Sequence, residues 1–80
     1  MSQPPMIGAW QVLVHAVRPY SIHGDLYYEL HVTPLGENTT KGFALRLPQH
    51  AIAVAPQQGD RLNLTFLMGQ ITSAEQIKGE

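Results

Sequence analysis

The chain has no cysteine. That excludes a disulfide framework, a thiolate zinc site and a thiol nucleophile. Charge is sparse as well: 14% of residues, five Lys and Arg against six Asp and Glu, for a net −1 with histidine neutral. So even a balance excludes a tail of either sign and offers little long-range attraction to phosphate. Long apolar runs are missing too. Residues 7–17 are the most apolar stretch, yet Gln11 and His15 interrupt them, and nothing approaches the ~18–20 consecutive apolar residues that span a bilayer. Met1-Ser2-Gln3-Pro4-Pro5-Met6 carries no basic region and no apolar run. No secretory signal is read there, and a cytoplasmic location away from membranes is expected.

Catalytic signatures are equally thin. Ser2, Ser21 and Ser73 fall in a tail, a loop and a strand end without a Gly-x-Ser-x-Gly elbow. Gly-rich phosphate loops are absent. The four histidines, His15, His23, His31 and His50, include no pair at metal-ligand spacing, so neither a metal nor a cofactor is expected. Protonating all four would move the formal charge from −1 to +3 and raise any affinity for anions. The chain reads as a non-enzyme.

What is present is a β pattern. Eighty residues, 44% of them hydrophobic, with seven Gly and six Pro, fit one small domain of short strands and many turns. In residues 7–17, Trp10, Val12, Val14 and Ala16 alternate with Gln11, Leu13, His15 and Val17, a period of two rich in β-branched residues. Residues 18–24 hold Pro19 and Gly24 and read as a loop. The cleanest alternation follows: Leu26, Tyr28, Leu30 and Val32 against Tyr27, Glu29, His31 and Thr33. After a turn cluster at residues 34–40, Phe43, Leu45 and Leu47 face inward from a third strand that Pro48 stops. Residues 49–55 make a short helical turn with Ile52 and Val54 or Ala55 as its plug, or else a short strand. A fourth strand occupies residues 61–67, and Met68-Gly69 turns into a fifth. The domain is expected over residues 7–74, between a disordered tail at 1–6 and a fraying one at 75–80.

That order of elements, with Pro56-x-x-Gly59-Asp60-Arg61-Leu62-x-Leu64 entering the fourth strand, resembles the OB-fold over residues 7–74. The resemblance implies a mainly β fold, a five-stranded, partly open Greek-key barrel with a short helical turn between strands 3 and 4. An SH3-like barrel has a comparable strand count and is the alternative. Lys41-Gly42-Phe43 is similar to the start of the cold-shock motif, but Ala44 and Leu45 depart from it, and no binding residue is carried over.

The resemblance also implies a ligand on the outer face of the second and third strands. Tyr27 and His31 would stand there with Lys41 and Arg46, and Arg18 nearby, a combination of aromatic platform and cation suited to single-stranded DNA or RNA. Trp10, Tyr20 and Tyr28 offer further platforms, although Trp10 and Tyr28 have core phase. A second reading takes the outward apolar residues Ala9, Leu13 and Val17 of the first strand and Leu67 of the fourth as a covered surface, with Leu13 and Val17 the interface of a homodimer, or of a module that docks on a protein partner. With even-numbered residues inward on both of the first two strands, Ala16 or Val14 should face Leu30, and His15 should face Glu29 or His31.

Overall fold

The structure is a computed structural model that describes residues 4–36 and 41–77. It is mainly β, with five antiparallel strands in one sheet: β1 (Gly8–Ile22), β2 (Asp25–Pro34), β3 (Phe43–Pro48), β4 (Arg61–Leu67) and β5 (Gln70–Gln76). One 3₁₀ turn, Gln49–Ala51, follows β3. The strands lie in the order β3-β2-β1-β4-β5. The inward phase of each supplies the core: Val12, Val14, Leu30, Val32, Leu47, Leu62, Leu64, Phe66, Ile71 and Ala74 are buried. Among the described residues no helix is long and apolar enough to cross a membrane.

The first strand is longer than its pattern predicts. Residues 18–22, expected as loop, continue β1, and His23-Gly24 turns the chain directly into β2 with both residues at positive φ, 51° and 87°. This is the backbone sign of a type I′ hairpin turn. Pro19 is tolerated because its missing N–H removes nothing. The Leu35 N–H donates to the Gln11 carbonyl at 3.0 Å, so odd-numbered residues of β2 direct their main chain at β1 and even-numbered ones at β3. Pro19 pairs with the even-numbered Tyr28, and the β4 ladder stops at Leu13, leaving its other side open.

The register of β1 on β2 also corrects the expected one. Val12, Val14 and their partners Pro34 and Val32 obey the even-sum pairing, but the register shifts by one residue between Val14 and Ala16. His15 is the extra residue of a β-bulge. Beyond it Leu30 faces Val17 rather than Ala16 or Val14, and the even-numbered Ala16, Arg18 and Tyr20 turn outward. A second shift makes Thr72 the extra residue of β5, with its hydroxyl donating to the Thr65 carbonyl at 3.3 Å. The shift puts both Ile71 and Ala74 in the core, and β5 therefore extends through residues 75 and 76, which the sequence reading assigned to a tail. The Ile77 N–H still donates to the Arg61 carbonyl. At the other end the Met6 carbonyl accepts from the Gly69 N–H at 2.8 Å. Residues 1–3 and 78–80 of the expected tails, and 37–40 of the turn cluster, lie outside the described residues.

The turn into β4 is clamped on β1. Asp60 accepts from the Gln57 N–H and from the Gln76 side chain, at 2.9 and 3.0 Å, while the Gly59 N–H and the Asp60 carbonyl pair with the main chain of Val14. Ala51 and Ile52 pack against the core, but Val54, a candidate plug, is 61% exposed. Laid flat, the edge strands β3 and β5 would stand about 19 Å apart across four strand spacings. Instead Ala44, Leu45 and Arg46 of β3 and Gln70 and Ile71 of β5 line one cleft of about 410 Å³. The sheet is curled. No ladder joins its edges among the described residues.

Candidate functional site

Pairing across β1, β2 and β3 sets the outward side chains in rows. Antiparallel neighbours directly opposite share a face. One row reads Tyr20, Tyr27, Pro48; the next Arg18, Glu29, Arg46; the third Ala16, His31, Ala44. The bulge at His15 creates all three rows, because it turns Tyr20, Arg18 and Ala16 to the side that Tyr27, Glu29 and His31 already occupy.

Three side chains interlock there. The Tyr20 and Tyr27 rings stack with centroids 5.7 Å apart and planes 29° from parallel. Arg46 lays its guanidinium over Tyr27, 5.4 Å from the ring centroid, and its Nε donates to the Tyr20 hydroxyl at 2.9 Å. One donor of the guanidinium is thereby fixed, and the planar group is oriented with its terminal nitrogens as further donors. Both tyrosines are half-buried and Arg46 is exposed. Arg18 meets Glu29 at 2.9 Å in an ion pair whose side chains are 74% and 33% exposed. An exposed pair of this kind contributes at most about 1 kcal/mol. Its effect here is local neutralisation, leaving the row Arg18, Glu29, Arg46 with one net positive charge.

The other expected site residues are placed less tightly. His31 is exposed on the same face, one row beyond Glu29. Lys41 precedes β3 and holds its ammonium 5.6 Å from the Phe43 ring centroid. His15 does not face Glu29 or His31; its Nε2 lies 2.9 Å from the Thr33 hydroxyl. Among the described residues no three His, Asp or Glu side chains gather as a metal site. Leu13 and Val17 do not form a patch. Leu13 lies before the bulge and outside the core contacts, whereas Val17 lies after it and packs inward. Trp10, Tyr28 and Phe43 pack against the core, Trp10 edge-on to Phe43 and Phe66.

Comparison with models of protein families, with curated proteins and with solved structures finds no match. The site therefore stands on its own chemistry: a pair of stacked tyrosine rings, an oriented guanidinium over one of them and a neutralised carboxylate beside it. The sequence pattern offers Tyr27, Arg46 and Arg18 as site residues and Tyr20 as a further platform, without placing Tyr20 against Tyr27. The signal for Tyr20 was His23-Gly24. A two-residue turn there pairs Ile22 with Asp25, and counting back puts Tyr20 opposite Tyr27.

Proposed function

We propose that this chain is a small non-enzymatic binding protein that takes single-stranded nucleic acid on the outer face of β1, β2 and β3, the curled sheet being a partly open barrel of the OB type. The observation that carries the reading is the Tyr20–Tyr27 stack with Arg46 laid over it. Bases are flat and stack on tyrosine whatever their identity, and phosphates need donors held beside that platform. Arg46 supplies such donors already oriented. Few cations take part, so electrostatics is a minor share of the affinity. If Arg18, Lys41 and Arg46 each meet one phosphate, the slope of log K against log salt is about −2 for a single strand.

Anisotropy of a labelled oligonucleotide tests the reading. Tyr27→Ala should lose about 1–3 kcal/mol of binding through lost stacking, and Arg46→Ala should flatten the salt slope by about 0.7. Failure of the parent protein to bind at roughly tens of micromolar and low salt, where the electrostatic share is greatest, would sink the proposal.

A second reading, self-association, draws on a surface that shares Leu67 with the outward apolar residues of the sequence pattern but not Leu13 or Val17. Met6, Ile7, Leu67 and Met68 are 50–79% exposed and gather at one end of the sheet, where the Gly69 N–H meets the Met6 carbonyl and Gly8 pairs with Phe66. An apolar cluster of this kind suits a second copy of the chain. Replacing Leu67 and Met68 together with glutamate should then shift the mass measured by light scattering to that of a monomer. A mass unaltered by the change removes this interface.

A further inference from the structure

A second hollow lies on the same outer face. It measures about 690 Å³ and is lined by His15, His31, Thr33, Gly42, Phe43 and Ala44. The cleft between the sheet edges is also lined by Ala44, with Tyr27, Arg46 and Pro48 on one side and Gly69 and Gln70 on the other. Ala44 is thus common to both. It points outward from β3 beside His31, and its side chain is a single methyl group. Gly42, on the same phase, has no side chain to raise the floor.

The main chain adds a second observation. Even-numbered residues of β2 face β3, so Leu30 and Val32 exchange hydrogen bonds with their partners Leu45 and Phe43. Alternation then directs the N–H and C=O groups of Ala44 and Arg46 away from β2, toward the open cleft. One donor and one acceptor side by side match the paired donor and acceptor on the Watson–Crick edge of any base.

We infer that the two hollows are one track along β3, from His31 past Ala44 to Arg46, that seats a short single strand with its bases against the edge of β3 turned away from β2 and on Tyr27. This rests on the nucleic-acid reading above and adds its path, its footprint and the residue that keeps it open. Residues 42–48 span about 20 Å at the rise of a strand, which holds about four nucleotides, the short end of what single-stranded binding folds use. Recognition through main-chain groups and ring faces makes the track tolerant of sequence.

The test is a length series of labelled oligothymidylates, from roughly two to twelve nucleotides, bound to the full chain and to Ala44→Ile. Isoleucine suits an exposed strand position and fills the track without offering a ring to stack on. Affinity should climb steeply to about four nucleotides and then level off, and Ala44→Ile should weaken binding about ten-fold or more, the equivalent of one lost base stack. Trp10 fluorescence of the variant, matched to the parent, certifies the fold. If the parent binds and Tyr27→Ala abolishes it while Ala44→Ile binds like the parent, the track is wrong and the platform stands. Affinity that keeps rising steeply past eight nucleotides at one chain per strand also overturns the footprint, even should Ala44→Ile fail to fold. No binding by the parent to any length removes both readings.

Discussion

The bulge at His15 makes a sharp prediction, because it reverses which of two adjacent residues belongs to the core. Val17 faces the fully buried Leu30 and packs against the core cluster, while Ala16 is exposed beside His31. Full burial of a valine is worth about 1.5–3 kcal/mol, and Val17 is half-buried, so its packing accounts for about 1 kcal/mol. A carboxylate set against Leu30 adds a desolvation cost of about 1–3 kcal/mol. Val17→Asp should therefore destabilise the fold by about 2–4 kcal/mol, out of the roughly 4–12 kcal/mol available to a chain of this length at about 0.05–0.15 kcal/mol per residue. Ala16→Asp, pointing into water, should stay within about 0.5 kcal/mol. Urea unfolding followed by the fluorescence of Trp10, the single tryptophan, held between Phe43 and Phe66, reads both variants. A strand without the bulge, carrying the phase of Val12 and Val14 straight through, puts Ala16 inside and reverses the order. Equal costs, or a greater cost at Ala16, would refute the bulge and with it the outward placing of Arg18 and Tyr20.

Two further outcomes follow from the packing. Leu30→Ala removes a side chain with no exposure that touches strands on both sides; it should cost about 2–5 kcal/mol in the same unfolding assay, and a loss below about 1 kcal/mol would mean the sheet does not close over it. Met68 occupies the first turn position of the β4–β5 hairpin at φ 54° and is 79% exposed, a left-handed conformation that costs most side chains about 1 kcal/mol and asparagine less. Met68→Asn should raise the melting temperature by a few degrees, and a lowered one would show that the methionine packs on a surface the monomer does not reveal.

How much of this was legible depends on the local rule each element obeys. β2, β3 and β4 keep one phase from end to end, and their inward residues Leu30, Val32, Leu47, Leu62 and Leu64 are those the alternation picks out. Met68-Gly69 was readable because a two-residue turn between apolar runs has few other uses. The misreadings lie where a strand changes phase. A bulge leaves no compositional mark, so neither His15 nor Thr72 announces itself, and Val17 is assigned to the outer face as a consequence. Pro19 misled for a different reason: a proline argues against a strand only where its nitrogen is needed by a neighbour, and which side of β1 lacks a neighbour is known only once the sheet order is. The members of the candidate site were legible, but not their arrangement. Tyr27 and Arg46 lie on strands of constant phase, whereas Tyr20 and Arg18 reach the same face only through the bulge.

The sharing of β1 between two partners also sets the order of assembly. The β1–β2 and β4–β5 hairpins each close through two residues and form locally, on the microsecond scale typical of such units. The β1–β4 ladder joins Leu13 to Arg61 and Gly8 to Phe66, 48 and 58 positions apart along the chain. Closing a loop of that length is the entropically costly event and comes late. The amino-terminal half of β1 thus governs how fast the chain reaches its native state, while the half beyond His15, free of β4, governs what the finished surface presents.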